Sequence, residues 1–356
     1  MAADSMRRAR RAALFLLTLL LPAVALGACG QAGTLTSPSP QPPPSASQPP
    51  VTVAPTLDPT AFPMTLVDDE GTEVVIPAQP QRIVSLTPAT TEVLFAIGAG
   101  PRVVGKVEDI ANHPPEAADV PIVATFAGID VEQIVALEAD LVVSGGSGLS
   151  QGPAVEQLRN AGVPVLVVYP TTVDGALEGI RTIGRAAGEA QAADDLVQSM
   201  TAQIDAVSAV TEGVERPRVF YEIDYGQSIF TPPATSIYGE MIRLAGGEPI
   251  SGDPNYSISL ESLVDADPQV ILLGDAAYGV TPEQVAARPG WGGMTAVTDG
   301  RIHPVDDILI TRPGPRLTQG LRELLGAIHP EIVGQLPIPS PREPIGSISP
   351  PGTVSP

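Results

Sequence analysis

The chain has 356 residues, of which 43% are hydrophobic, so it is long enough to bury a core and to form two lobes. Its 40 acidic residues outnumber the 19 basic ones and give a formal net charge of −21. Contacts with phosphates need lysine and arginine, so this charge argues against a nucleic-acid partner. Solubility alone would also account for it.

Cysteine and histidine are too scarce for a disulfide or a zinc cluster. The chain has one cysteine, Cys29, and the three histidines, His113, His303 and His329, lie far apart. No CxxC, HxH or HExxH spacing occurs, and no nucleophile elbow is present. We therefore expect no metal site, no cofactor and no enzyme activity.

Residues 1–29 have the features of a secretory signal. Basic residues from Arg7 to Arg11 precede an apolar run over 12–21, which is short for a membrane span. The segment ends Leu-Gly-Ala-Cys at Cys29, which resembles the bacterial lipobox, in which the cysteine becomes the lipidated N-terminus. We expect an extracytoplasmic protein of the cell envelope, lipid-anchored to the membrane. An ordinary signal peptide with a chance cysteine is the alternative.

Residues 30–62 are rich in proline, serine and threonine and lack apolar periodicity, which predicts a disordered tether. Residues 340–356 have a similar composition and are predicted to form a loose tail. Between them the sequence predicts an N-terminal α/β lobe over 63–188, a bridging helix over 189–213 and a C-terminal α/β lobe over 214–339.

Short apolar strands alternate with helices in both predicted lobes, which is typical of βαβ units with a parallel sheet. A hairpin is predicted over 64–76, turning at 68–71. The other predicted strands are 83–86, 103–107, 140–143, 165–169, 218–223, 270–273 and 301–304. The predicted helices are 131–137, 152–161, 237–244, 260–264 and 318–328, with a long helical pattern over 173–212 that Gly184 and Gly188 punctuate.

The stretch RIVSLTPATTEVLFAIGAG, residues 82–100, predicts a strand, a hydroxyl-rich turn and a helix. Thr90 or Thr91 is the predicted helix cap, and Glu92 then falls in the first helical turn, where a carboxylate is favoured. Ligands and partners of open α/β sheets meet the protein at such carboxyl ends of strands.

The sequence also contains an internal repeat. Residues 131–145 align without gaps on residues 260–274, which pairs Glu132 with Glu261. A looser match pairs the segment around Glu92 with that around Glu240. We infer two similar α/β lobes joined through the long helix. Chance similarity between amphipathic segments is the alternative.

Glu92 and Glu240 would occupy equivalent outer places if the lobes are related by pseudo-symmetry. Two acids so placed suit docking onto a partner with two basic patches, because charge pairs set register and encounter rate. Stabilisation of a helix N-terminus by each glutamate is the simpler explanation, and the residues alone favour it.

Three motifs in this order resemble a known family: RIVSLTPATTEVLFAIGAG, FAGIDVEQIVALEADLVVSG and YGEMIRLAGGEPI. They are similar to the substrate-binding proteins of ABC importers for ferric siderophores, haem and vitamin B12. The resemblance implies an α/β fold with two Rossmann-like lobes, parallel sheets, a single long bridging helix and a ligand cleft between the lobes. It implies that the lobes move little. It also implies one glutamate per lobe that meets arginines of the permease, matched here by Glu92 and Glu240.

The resemblance leaves the ligand open among an iron chelate, haem and cobalamin. Phe126 stands where cobalamin-binding relatives carry an aromatic residue. Anionic chelates would pair with arginine. The candidate ligand contacts are Phe126, Tyr169, Tyr225, Arg312 and Arg316, with Trp291 as a further aromatic candidate. His113 or His303 could be an axial ligand of haem. The alternative roles are core packing or surface exposure for the aromatic residues, structural salt bridges for the arginines and a solvated loop position for the histidines.

The expected function is that of a monomeric receptor that hands its ligand to an ABC permease without bond chemistry. A zinc or manganese receptor would need several convergent histidine or acidic ligands. A two-lobed enzyme would need a glycine-rich phosphate loop at a helix start, and the loop over 144–148 is only a weak match. An adhesive or degenerate surface lipoprotein on the same fold is the remaining alternative.

Overall fold

The computed structural model describes residues 61–125, 127–145 and 152–337. The predicted signal segment with Cys29, nearly all of the tether, the tail and Phe126 lie outside the described residues.

The N-terminal lobe is built on a six-stranded sheet in the order β6-β5-β4-β3-β7-β8. Every neighbouring pair is parallel except β5 with β6. The predicted hairpin precedes this sheet as β1 and β2. The elements are β1 Met64–Val67, β2 Glu73–Ile76, β3 Ile83–Ser85, α1 Pro88–Ala96, β4 Val103–Val107, β5 Ile122–Thr125, β6 Gly128–Ile129, α2 Val131–Ala136, β7 Leu141–Ser144, α3 Gly152–Asn160 and β8 Val165–Val167.

Two helices connect the lobes, α4 Val173–Ala187 and α5 Ala190–Val210. Gly188 separates them in the left-handed conformation with φ of 75°, which glycine adopts without a steric cost. At 21 residues, α5 is about 30 Å long. It packs along α4 and also contacts the helix over Leu317–Ile328.

The C-terminal lobe has a parallel four-stranded sheet in the order β12-β9-β14-β15 and a small antiparallel sheet, β10-β11-β13. The elements are β9 Arg218–Glu222, β10 Asp224–Tyr225, β11 Ile229–Phe230, α6 Ile237–Leu244, β12 Glu248–Pro249, β13 Ser257–Ile258, α7 Leu260–Ala266, β14 Val270–Leu273, α8 Pro282–Ala286, α9 Thr295–Thr298, β15 Ile302–Pro304, α10 Asp307–Thr311 and α11 Leu317–Ile328.

The central strands of both sheets are buried on both faces. On β7, Val142 packs in an outer cluster of the N-terminal lobe and Val143 in a central cluster. On β14, Ile271 packs in an outer cluster of the C-terminal lobe and Leu272 in the same central cluster. Because strand side chains alternate between faces, one face of each sheet contributes to this shared core, which runs through α4 and α5.

The predicted fold class is confirmed, with two α/β lobes, parallel sheets and a long connecting helix. The internal repeat has a structural counterpart, because α2 leads into β7 and α7 leads into β14 in the same way. The prediction did not include β5, the two-residue strands β6, β10, β11, β12 and β13, or the short helices α8 to α10. None of the helices in the part of the chain that the structure describes has the length and apolar character needed to span a bilayer.

Candidate functional site

A cleft of about 500 Å³ lies between the two lobes. The N-terminal lobe lines it with loops that follow the carboxyl ends of β3, β7 and β8, together with one face of α4. The C-terminal lobe contributes the segment around the start of α6, Tyr256 and residues 311–313. The position of the cleft follows from the topology, because parallel strands collect their carboxyl ends at one edge of each sheet.

The cleft lining is apolar and hydroxyl-bearing. Val93, Ile180 and Ile237 contribute aliphatic surface. The hydroxyl groups come from Thr87, Thr90, Thr171, Thr235, Ser236, Thr311 and three tyrosines, Tyr169, Tyr238 and Tyr256. Of the described residues that line the cleft, Arg312 alone carries a charge. The site therefore suits a ligand recognised by packing and neutral hydrogen bonds.

The rings of Tyr169 and Tyr256 are 55% and 39% exposed, so both can contact a ligand. Tyr238 is more buried and stacks on Tyr221 with ring centroids 6.3 Å apart. Burial and the neighbouring Tyr256 and Asp307 raise the pKa of Tyr238 to about 12. Tyr238 is therefore a neutral phenol at physiological pH.

The hydroxyl-rich turn before α1 is held by its own hydrogen bonds. Thr87, rather than the predicted Thr90 or Thr91, caps α1 by accepting from the Thr90 backbone N–H. The Ser85 hydroxyl lies 2.7 Å from that of Thr90 and 2.8 Å from that of Thr91. Because the helix begins at Pro88, Glu92 falls beyond its first turn.

Glu92 lies in a buried ion network that joins the lobes. The carboxylate is only 3% exposed, so it does not occupy the outer place expected for a docking residue. It accepts from the Arg316 guanidinium at 2.6 and 2.9 Å and from Arg312 at 3.1 Å. Arg312 also donates to both carboxylate oxygens of Asp109, at 2.6 and 3.0 Å. Both acids belong to the N-terminal lobe and both arginines to the C-terminal lobe.

Asp109 is ionised within this network. Burial alone would raise the pKa of its carboxyl group, but hydrogen bonds from Arg312 and from the backbone N–H groups of Ala111 and His113 outweigh burial and lower that pKa. Arg312 responds in the opposite sense: its pKa is raised, because Asp109 and Glu92 together outweigh the effect of burial.

Glu240 also faces the other lobe. Its Oε2 atom accepts from the Val173 backbone N–H at 2.8 Å, at the first residue of α4. A carboxylate at this position satisfies a free N–H group and interacts favourably with the helix dipole. Glu92 is buried, whereas Glu240 is only half-buried, and the docking role of the pair stays a prediction.

The other predicted ligand contacts are distributed unevenly. Tyr169 and Arg312 line the cleft, whereas Arg316 lies behind it, bound to Glu92. Tyr225 and Trp291 are outside the cleft lining. The sequence analysis missed Tyr238, Tyr256 and Asp109. Tyr238 is the first residue of the YGEMIRLAGG motif and lies directly after the start of a helix. This position could have identified it as a cleft residue from the sequence.

Tyr225 belongs to a packed cluster at the carboxyl end of β9. The Arg288 guanidinium lies 3.7 Å from the centroid of the Tyr225 ring and 4.7 Å from that of Trp291. The same group donates to both oxygens of the buried Glu222 carboxylate, at 2.5 and 2.8 Å. Trp291 is fully buried, so its ring is a core group rather than a ligand contact.

The described residues hold no group of three or more histidine, cysteine or acidic side chains arranged for a metal ion. None of the three histidines lies among the described residues of the cleft lining. The expected axial roles of His113 and His303 therefore have no support in the position of either residue.

Comparison with known proteins places these features in a family. The model of the periplasmic binding protein family matches residues 83–309. An ABC transporter substrate-binding lipoprotein of Bacillus subtilis, YvrC, whose function is uncharacterised, is 32% identical over 320 residues, which cover 88% of this chain and 96% of that protein. A cobalamin-binding protein of Halobacterium salinarum is 28% identical and covers 88% of this chain and 84% of its own length.

A solved structure supports the same assignment. The periplasmic haem-binding protein RhuT from Roseiflexus sp. RS-1 is 26% identical, with a TM-score of 0.62, over 70% of this chain and 98% of RhuT. The family match begins at β3 and ends within α10, so it includes most of both lobes. The chain therefore belongs to the periplasmic binding protein family.

Proposed function

We propose that this chain is the extracytoplasmic receptor of an ABC importer and that it binds a corrinoid of the cobalamin type. The observation that carries the proposal is the lining of the cleft, whose one charged residue among those described, Arg312, is already paired with Glu92 and Asp109. A relative of nearly full length is named a cobalamin-binding protein, which supports the same ligand.

The chemistry of the ligand matches that of the lining. The corrin ring carries neutral amide side chains, which hydroxyl groups can satisfy as donors and acceptors. Tyr238, whose pKa is raised to about 12, is a neutral phenol and can donate to an amide oxygen. The exposed rings of Tyr169 and Tyr256 offer flat apolar surface from opposite lobes.

Haem is the second candidate, because RhuT is named a haem-binding protein. Haem would need an axial ligand and cationic partners for two propionates. Among the described lining residues the only axial candidates are tyrosines, and the raised pKa of Tyr238 opposes the phenolate form that iron prefers. The paired state of Arg312 leaves the propionates without a free cation, so the corrinoid is favoured.

Calorimetric titration of the purified protein with cyanocobalamin and with haemin tests this function. We expect submicromolar binding of cyanocobalamin, and weakening by about tenfold or more when Tyr256 is replaced by alanine. Tyr278→Ala is the matched control, since Tyr278 is exposed and lies outside the cleft lining. Tight binding of haemin alone would assign the receptor to haem. Absence of binding to both would favour the adhesive or degenerate receptor.

Glu132 and Glu261 are better candidates for the permease-docking residues than the predicted pair, Glu92 and Glu240. Both acids are exposed and lie in the first turns of α2 and α7, which the internal repeat pairs. Val135 and Val264, one helical turn further on, are also paired by the repeat and are 43% and 40% exposed. Each lobe therefore presents an acid beside an apolar side chain, which suits a permease with two basic patches.

Ligand uptake by cells that carry the Glu132→Ala, Glu261→Ala double variant tests the docking surface. We expect uptake to fall by about tenfold or more while cyanocobalamin affinity stays unchanged, because charge pairs at such an interface act on partner binding. A double variant of two exposed acids elsewhere, Asp119→Ala with Asp299→Ala, is the matched control. Normal uptake in the Glu132 and Glu261 variant would exclude these acids as the docking pair.

Anchoring through Cys29 completes the proposed role and is supported by the lipobox and by the relative that is named a lipoprotein. We expect the Cys29→Ser variant to leave the membrane fraction and to lose incorporation of labelled fatty acid. A variant that stays in the membrane fraction would show that another segment anchors the protein.

A further inference from the structure

Arg312 both faces the ligand cleft and forms ion pairs within the protein. It lines the cleft, where a cation would attract anionic chelates, and both of its terminal nitrogens are bound to carboxylates of the opposite lobe. The arginine that the sequence offers to an anionic ligand is thus occupied by the protein itself.

We propose that Glu92 and Asp109 act as internal counter-anions of Arg312 and thereby select against ligands of net negative charge. Arg316 is a positioning residue in this arrangement, because it holds the Glu92 carboxylate through two hydrogen bonds and does not line the cleft. The inference rests on the proposed function, since it concerns ligand selection by the same cleft.

The charges of the network support this role. Two carboxylates face two guanidinium groups, so the network is neutral as a whole. The side chains of Glu92 and Asp109 are 2% and 5% exposed. An anionic ligand that paired with Arg312 would leave a buried carboxylate without its partner, and an unpaired buried charge is strongly destabilising. A neutral ligand leaves the network intact.

A purely structural clamp would give a different pattern. If the four residues only held the lobes together, loosening them would weaken every ligand to a similar extent. Selection by charge instead predicts that removing one carboxylate helps anionic ligands and leaves neutral ligands nearly unchanged. The ratio of the two affinities separates the two explanations, and a general loss of packing does not change that ratio.

The test is a pair of titrations on the Asp109→Asn variant, with haemin as the anionic probe and cyanocobalamin as the neutral probe. We expect haemin affinity to rise by about tenfold or more, because a freed arginine gains a charge-assisted hydrogen bond, and cyanocobalamin affinity to change by less than about threefold. Adding Arg312→Gln to this variant should abolish the gain. Asp68→Asn is the matched control, since Asp68 is a buried carboxylate that pairs with Arg159 outside the cleft lining.

Glu92→Gln provides a second variant if Asp109→Asn fails to fold, and it should shift the affinities in the same direction. Equal losses for both probes, or no gain for haemin in either variant, would overturn the inference. Failure of the unmodified protein to bind cyanocobalamin would reject the corrinoid function alone, because the comparison of haemin affinities between the unmodified protein and its variants remains decisive.

Discussion

Asp275 follows β14, and its carboxyl group is buried beside that of Glu222 at the carboxyl end of β9. Both of its oxygens lack an N–H or O–H donor among the described residues, and Arg288 is engaged with Glu222. Burial, and then the charge and hydrogen bonding of Glu222, raise the pKa of Asp275 to about 7. Asp275 is therefore protonated in the folded protein at pH values well below 7.

This proton makes folding stability depend on pH in a defined direction. The folded-state pKa of about 7 lies above the ordinary value of 3.8, so the protonated group stabilises the fold in acid, and this stabilisation is lost as the pH rises towards 7. We expect the unfolding free energy of the unmodified protein to fall, relative to that of Asp275→Asn, by about 1 kcal/mol per pH unit between pH 5 and 7. The difference should level off above pH 7.

Urea unfolding at four or five pH values measures this difference. His303, whose pKa is lowered mainly by burial, titrates in both proteins and cancels in the comparison. Asp265→Asn, at an exposed acid of the same lobe, should give no such trend. A constant difference between the unmodified protein and Asp275→Asn across this range would contradict a raised pKa of Asp275 in the folded protein.

At the scale of the element, the α4–α5 connection depends on Gly188. The residue has φ of 75°, and a β-carbon there would approach the Gln79 side chain to 2.7 Å. We expect Gly188→Ala to lower the unfolding free energy by about 1–2 kcal/mol, through backbone strain and this contact. Gly292→Ala is the control, since a β-carbon at Gly292 meets no atom within 4 Å. Equal stabilities of the two variants would contradict this view of the connection.

Helices and strands with a clear apolar periodicity were predictable from the sequence. The long-range side-chain contacts of their residues were not. The apolar spacing of α5 matches its buried residues, including Ala193, Met200 and Val207. The two-residue strands β10, β11 and β13 are too short to show a period. Glu92 was expected at the surface, because no local pattern reveals arginines that lie more than 200 residues further along the chain.

At the scale of the whole molecule, the central core joins both sheets through α4 and α5. We expect the lobes to unfold together. Shortening a buried side chain of α5 should therefore lower the stability of both lobes. Met200, which is 1% exposed, is the suitable position, and Met200→Ala should cost about 2–5 kcal/mol. Hydrogen exchange of the amides of β7 and β14 measures each lobe separately.

Both strands should lose protection equally in the Met200→Ala variant. The control is Ile122→Ala, at a half-exposed position of β5, which should alter neither strand appreciably. Loss of protection in one lobe alone would show that the lobes are independent folding units.

The shared core has a further consequence for the competition between receptors for the permease. Because the lobes are joined by a continuous core and by a buried ion network, we expect their outer helices to keep the same spacing in the empty and the ligand-bound receptor. A permease that recognises only those helices would bind empty and loaded receptors with equal affinity, and the two forms would compete for the same docking site. The rate of import would be set by the loaded fraction of the receptor pool, and overproduction of empty receptor would slow uptake.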